Sequence, residues 1–340
     1  MVRLGIVVPC YNEQDVLEET ARRLIAQLER LHAKGLVDAS SAVYFVDDGS
    51  RDGSWEIIQR LAADPRLRGI RLSRNRGHQN ALLAGLMNAE GDALISVDAD
   101  LQDDLNVMED MVRLYLDGHD VVYGVRSDRT ADRPFKRLTA ESYYRLLRAL
   151  GVEVVFNHAD YRLLSRRAVT ALASYREVNL FLRGIIPQLG FRTATVTYVR
   201  GERLAGESKY PLRKMLSLAV EGVISFSAAP LRAITALGFL VCFGSFAMAA
   251  WALLARLFTD AALPGWASTV VPMYFLGGVQ LLCLGVLGEY LAKIYMEVKG
   301  RPRYLIDTVV GGPNGNLVAS AAPCAEQGAA GPTTSRAVTD

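Results

Sequence analysis

Two long stretches without charge constrain this chain more than any other feature of it. Ala233 to Leu254 and Trp266 to Gly288 contain no Asp, Glu, Lys or Arg. At about 1.5 Å of rise per residue the first reaches roughly 33 Å as a helix, enough for the hydrocarbon core of a bilayer, and the second is slightly longer. As core helices of a soluble bundle they would need covering, and little sequence remains to cover them. The pattern predicts two membrane-spanning helices, a hairpin over 233–296. Arg213, Lys214 and Arg232 precede the pair, Lys293, Lys299, Arg301 and Arg303 follow it, and the only basic residue of the connection is Arg256. Short loops rich in Lys and Arg stay cytosolic, so both termini are expected in the cytosol.

Ahead of the apolar stretches the chain has a different rhythm. Apolar runs at Leu4–Val8, Val43–Val46, Gly69–Leu72 and Ala93–Val97 alternate with helix-like segments such as Asp15–Leu31 and Ser54–Ala62. Such alternation predicts an α/β domain with a mainly parallel central sheet, covered by helices, whose ligands bind at the carboxyl ends of the strands. The segments that follow the strands, Pro9–Glu13, Asp47–Gly53, Ser73–Gln79 and Asp98–Asp104, are the ones rich in Asn, Asp, Gly and Arg. The run Leu4–Cys10 leads straight into Asn12, Glu13 and Asp15, so it reads as a first strand and not as a cleaved signal.

Composition narrows the function classes. A formal net charge of +2 is too small for wholesale nucleic-acid binding. Cysteines at 10, 242, 283 and 324 have no paired metal-ligand spacing, which fits a reducing compartment without structural zinc. Between 126 and 150, Arg126, Arg129, Arg133, Lys136, Arg137, Arg145 and Arg148 alternate with Phe135, Leu138, Tyr143, Tyr144 and Leu147. That pattern describes either a solvated helix face or a helix on an anionic membrane surface. Residues 206–232 read as a juxtamembrane interfacial helix, 297–310 as a basic cytosolic segment, and 311–340, without aromatics, as a disordered tail.

Two acidic loops carry the chemistry. Asp98-Ala99-Asp100-Leu101-Gln102-Asp103-Asp104 follows an apolar strand. Clustered oxygen ligands there suit a hard divalent cation that keeps coordination places for water and substrate phosphates. The same letters also describe an acidic turn capping a helix that begins near Leu105. Asp47-Asp48-Gly49-Ser50 likewise follows a strand, and a carboxylate there can hydrogen-bond a nucleobase or ribose, or serve ordinary turn chemistry.

Val8-Pro9-Cys10-Tyr11-Asn12-Glu13, Val46-Asp47-Asp48-Gly49-Ser50 and Asp98-Ala99-Asp100-Leu101-Gln102-Asp103, in this order and at strand ends, resemble the nucleotide-sugar-binding fold of the family 2 inverting glycosyltransferases. Arg74-Asn75-Arg76-Gly77-His78-Gln79, Gly206-Glu207-Ser208-Lys209-Tyr210 and Ser225-Phe226-Ser227 before Pro230-Leu231-Arg232 resemble its polyprenyl-phosphate branch, which includes dolichol-phosphate mannosyltransferases and bactoprenol glucosyltransferases. The resemblance covers about residues 3 to 306.

It implies a GT-A-like catalytic domain over 1–205 and a multi-pass protein of the inner (plasma) membrane with that domain in the cytosol. Transfer of a hexose, glucose by default, from a nucleotide sugar, a UDP-sugar by default, to undecaprenyl or another polyprenyl phosphate would follow, with inversion. Asp98, Asp100 and Gln102 would hold magnesium or manganese, and Asp98, Asp100 and Asp160 would form the catalytic group. Pro9, Tyr11, Asn12, Glu13, Asp48, Arg74, Asp98 and Ala99 would bind the nucleotide sugar. Asp160 matches a position near the reacting centre, and a buried pairing with Arg162 accounts for it equally well. Arg126, Arg203 and Lys209 are the favoured contacts for the lipid phosphate, since Arg suits phosphate by its bidentate geometry. Gly277, Gly278 and Gly285 allow close helix packing and a homo-oligomer. Mannosyl or modified-arabinose transfer, and a non-catalytic nucleotide-sugar-binding regulator, are the alternatives.

Overall fold

The computed structural model describes residues 1–126, 158–177, 180–199, 201, 231, 234–241, 243, 244, 247, 251, 254, 267–312, 317 and 318. Its elements run β1 (Leu4–Cys10), α1 (Leu17–Ala33), β2 (Ala42–Asp47), α2 (Ser54–Leu61), β3 (Leu67–Leu72), α3 (His78–Asn88), β4 (Ala93–Ser96), α4 (Val107–Leu116) and β5 (Val121–Arg126). They continue with β6 (His158–Ser165), α5 (Arg166–Ala173), α6 (Leu182–Gln188), β7 (Thr193–Tyr198), α7 (Ala267–Val298), β8 (Ile306–Val310) and β9 (Leu317–Val318). The chain divides into two compact units, one of residues 1–100 with 302–340 and one of residues 101–301.

In the first unit the strand order is β4-β1-β2-β3-β8-β9. The pairs β4/β1, β1/β2 and β2/β3 are parallel, and β3/β8 and β8/β9 are antiparallel. Every residue of β1, β2 and β4 is buried. That is the burial of strands covered on both faces, and it explains why their sequences read as unbroken apolar runs and not as an alternation. α1 presents Leu17, Ala21, Leu24, Leu28 and Leu31 at helical spacing to the core, while Glu19 pairs with Arg22 and Arg23 on the wet face. α3 has no polar face in its middle, Ala81 to Leu86 all being buried against the sheet. Gly85 lets it approach, since a Cβ there would lie 2.2 Å from Val7 Cγ1 and 2.8 Å from Val46 Cγ2.

In the second unit β5 lies between β7, its parallel partner, and β6, its antiparallel one. α4 packs on these strands through buried Val107, Met108, Met111 and Val112. Ser165 caps α5, its hydroxyl oxygen accepting from Ala168 N and the hydroxyl donating to Asp120 Oδ1 at 2.8 Å. α7 is apolar and outward-facing: Met273, Phe275, Leu284, Leu291 and Ile294 are all exposed. Its stretch Phe275–Val298 is long and apolar enough to cross a membrane, with none of it buried.

Several expectations change against this structure. Among the described residues, which omit part of the expected first span, one helix is long and apolar enough to span. It overlaps the expected second span but continues ten residues beyond Gly288, to Val298, because Glu289, Lys293 and Glu297 are spaced along a helix without interrupting it. Residues 234–241 of the expected first span are helical, and most of its remainder lies outside the described residues. The segment read as basic and cytosolic, 297–310, ends in β8, a strand of the first unit's sheet. Order continues past 311, since Leu317 and Val318 pair with Val309 and Thr308. Most of the basic stretch 126–150 and of the juxtamembrane segment 206–232 lies outside the described residues.

Candidate functional site

The first unit gathers polar loops at the carboxyl ends of its parallel strands. The loop after β1 and the loop after β2 are knitted together. Asn12 N donates to Ser50 Oγ at 2.9 Å, Arg51 N to Asn12 Oδ1 at 2.8 Å, and Glu13 N to Ser54 Oγ at 2.9 Å. Asn12 holds a left-handed backbone, φ 56°, a conformation Asn accepts more readily than most residues. Tyr11 is exposed and Pro9 is buried.

Asp48 clamps the next loop. Its Oδ1 accepts from Arg76 N at 2.7 Å and its Oδ2 from Gly77 N at 2.8 Å. Gly49, at φ +68°, makes the approach possible, since a Cβ would stand 2.7 Å from the carbonyl carbon of Arg74. Asp48, expected at the nucleoside, thus spends both oxygens on the backbone of the segment that presents Arg74, which is exposed. Burial pushes the Asp48 carboxyl up, and the two N–H donors pull partly the other way. Asp47, fully buried, is also pushed up by burial; Ser50 N holds its Oδ1 at 3.1 Å and Arg71 Nε lies 3.6 Å from its Oδ2.

The turn after β4 is different: Asp98 and Asp100 are half-buried, with Ala99 buried between them. Thr20 of α1 donates from its hydroxyl to Ala99 O at 2.9 Å and so fixes the turn's backbone. His78 Nε2, at the start of α3, lies 3.6 Å from Asp98 Oδ1. Leu101 follows with φ 54°; Asn12 and Leu101 are the two non-glycine residues with left-handed φ among the described residues, and each follows a parallel strand. Among the described residues no three His, Cys, Asp or Glu side chains gather as a metal site. Asp98, Asp100 and Gln102 offer two carboxylates and an amide. That all-oxygen set fits a hard cation completed by substrate phosphate and water. Gln102 is only 8% exposed, and its backbone carbonyl accepts from Gly201 N at 2.8 Å.

The second unit holds two buried carboxylates with charged partners. Asp103 accepts from the hydroxyl of Tyr198, and Arg126 reaches both, with Nη2 3.7 Å from Asp103 Oδ1 and Nε 3.3 Å from Tyr198 Oη. Arg126, expected at the lipid phosphate, is therefore tied to Asp103 from the end of β5. Tyr161 Oη donates to Asp104 O at 3.1 Å, so β6 and β7 both hold the stretch after Leu101. Burial pushes the hydroxyls of Tyr161 and Tyr198 well up, and both stay protonated donors. Asp160, 7% exposed on β6, meets two guanidiniums: Arg162 of its own strand and Arg183 of α6. Arg203 and Lys209 lie outside the described residues.

Sequence reasoning missed Asp103, Tyr198 and Arg183 as site residues. Arg183 did leave a signal, as the one charge in the otherwise apolar Leu180–Ile186.

The glycosyl transferase family 2 model matches residues 5–172. The "uncharacterized glycosyltransferase YkoT" of Bacillus subtilis is 47% identical over 309 residues, covering 89% of this chain and 91% of that one. The "SfII prophage-derived bactoprenol glucosyl transferase" of Shigella flexneri is 39% identical over 307 residues, covering 90% and 97%. Among solved structures, the mannosyltransferase PcManGT from Pyrobaculum calidifontis, in complex with GDP-Man and Mn2+, is similar over 88% of this chain and 86% of that one, with 19% identity and a TM-score of 0.46. With the family model and these near-full-length relatives in agreement, the chain belongs to glycosyl transferase family 2.

Proposed function

We propose that this GT-A-like protein transfers glucose from UDP-glucose to undecaprenyl phosphate, with inversion, at the cytosolic face of the inner membrane. The observation that carries the reading is the turn after β4, with two half-buried carboxylates at the carboxyl end of a parallel strand and its backbone pinned by Thr20. The acceptor is inferred from the bactoprenol glucosyl transferase that matches over nearly its whole length.

Pro9, Tyr11, Asn12 and Glu13 line the nucleoside's place, Asp48 shapes the loop that brings Arg74 to it, and Asp98 and Ala99 face the ribose and sugar. Asp98, Asp100 and Gln102 are the residues to hold a divalent cation, magnesium or manganese, which when bound neutralises charge on the departing nucleoside diphosphate. An oxygen of the lipid phosphate attacks the anomeric carbon from the face opposite the leaving group, so the configuration inverts once. A phosphate monoester's second pKa is about 6, so at neutral pH the acceptor is already mostly a dianion and needs no strong base. Arg126, Arg203 and Lys209 are the cations assigned to it.

The return of β8 supports the membrane reading. β8 pairs with β3, and only Lys299 to Leu305 separate it from α7, so the chain before and after the membrane segment lies on one side. A chain that comes back to its own sheet crosses an even number of times. If α7 crosses, a second segment crosses too, and the uncharged 233–254 is the stretch with the length for it. Gly277, Gly278 and Gly285 on α7 offer a small-residue surface for a homo-oligomer.

The test is to incubate detergent-purified protein with undecaprenyl phosphate and a panel of UDP- and GDP-sugars, with and without magnesium or manganese, and to detect glycolipid by mass. The expected result is a metal-dependent glucosyl product that disappears in Asp100→Ala. A product from GDP-mannose or another donor replaces the sugar assigned here; nucleotide binding without product from any donor favours a regulator.

A further inference from the structure

We infer that Arg183 takes a phosphate oxyanion of a substrate, and that Asp160 is the carboxylate that positions it, not the proton acceptor of the reaction. The inference rests on the transfer reaction proposed above. Asp160 lies on β6 at 7% exposure, and Arg162, on the same face two residues on, is 1% exposed. Arg162 donates from Nη2 to Asp160 Oδ1. From α6, Arg183 lays a fork on the same group, Nε to Oδ1 at 3.2 Å and Nη2 to Oδ2 at 2.9 Å. Tyr123 of β5 stands opposite Arg162 in register, and burial pushes its hydroxyl up to about 12, so it stays neutral.

Three consequences follow. A carboxylate that accepts from two guanidiniums is stabilised as the anion and is a weak base. The reaction does not call for a strong one, because a phosphate monoester acceptor arrives largely ionised. Asp160 has the buried Arg162 as one charged partner and Arg183 as a second. Arg183 differs from Arg162 in being 37% exposed, on an element whose Leu182, Ile185 and Ile186 are buried and anchor it. A guanidinium fixed in direction by a bidentate clamp, yet open to solvent, has the form that phosphate recognition asks for. The phosphate comes from the lipid acceptor or from the donor diphosphate, and kinetics separate the two.

The experiment uses the full-length protein in detergent, with undecaprenyl phosphate and the sugar nucleotide it accepts, and compares Arg183→Gln, Arg183→Lys, Asp160→Asn and Asp160→Asn/Arg183→Gln. Loss of a charge-assisted contact should raise one KM about 10- to 100-fold in Arg183→Gln, with kcat changing far less. A rise in acceptor KM assigns Arg183 to the lipid phosphate, and a rise in donor KM to the diphosphate. Arg183→Lys, which keeps the charge and loses the fork, should fall between and serves if the Gln variant does not fold. Asp160→Asn should move the same KM, and the double variant should be no worse than Arg183→Gln alone. The inference is overturned if both KM values stay within about twofold in the folded Arg183 variants, or if the Asp160 loss is a kcat loss that multiplies with the Arg183 loss. If the wild type glycosylates no lipid phosphate, the proposed function itself fails, a result distinct from a working wild type with indifferent variants.

Discussion

Asp48, in the first unit, and Asp160, in the second, are both nearly buried carboxylates, and the molecule satisfies them in opposite ways. Asp48 accepts from two backbone N–H groups, Asp160 from two guanidiniums. Backbone donors carry no net charge, so burial wins at Asp48 and its carboxyl is pushed up. Guanidiniums bring charge into the interior, and they make sense only while the carboxylate stays ionised. The first arrangement shapes a loop; the second stores a charge pair whose members depend on each other.

The largest test of that contrast is Asp160→Ala. It leaves Arg162 and Arg183 facing one another without their shared acid, and the folded state should lose about 3–5 kcal/mol, read by thermal or denaturant unfolding of the purified protein. Asp48→Ala removes two hydrogen bonds from a loop that water can reach, and should cost about 2 kcal/mol while weakening nucleotide binding in equilibrium dialysis. If the two losses came out equal, the distinction between charged and uncharged partners would have no energetic content. Tyr198→Phe probes an intermediate case, because Asp103 keeps Arg126 when it loses the hydroxyl; about 1 kcal/mol is expected by the same assay.

The smallest effect concerns Asp47. Its folded pKa is raised by burial above the unfolded value, so its favourable contribution is complete below the ordinary carboxylate range and is lost as pH rises through the folded value. Asp47→Asn removes that dependence. Its melting temperature relative to wild type should therefore climb between pH 4 and neutrality, by an amount worth about 1 kcal/mol or less. A flat difference would show that Arg71, 3.6 Å away, already neutralises the buried carboxylate.

What could be read from sequence followed the range of the interactions. β1 to β4 were legible to within two residues at every end, because an unbroken apolar run followed by a polar strand-end loop is a local signal. The strand-end loops were legible for the same reason. That Asp48 would turn inward to Arg76 and Gly77 was not, since it depends on how the chain after β3 folds back. Arg126 was picked for its charge, but its partner Asp103 lies on another segment, and no spacing rule joins them. The antiparallel β8 was hidden too: Ile306–Val310 is short, sits behind a basic stretch, and gains its place only by pairing with a strand made far earlier. α7 ran past its expected end because isolated charges do not stop a helix when their neighbours still favour it.

That last pairing sets an order in time. About 230 residues lie between the end of β3 and the start of β8. At synthesis rates of about 5–20 residues per second, β3 waits roughly 10–50 s on the ribosome before its partner exists. For that interval the nascent sheet has a bare edge, the part of a β structure most prone to recruit a foreign strand. β3 reads Leu-Arg-Gly-Ile-Arg-Leu, and Arg68 and Arg71 are the kind of charges that discourage such recruitment. The sheet that opens the polypeptide is therefore completed only after α7 has been made. A chain cut short before Ile306 would leave the edge of β3 uncovered.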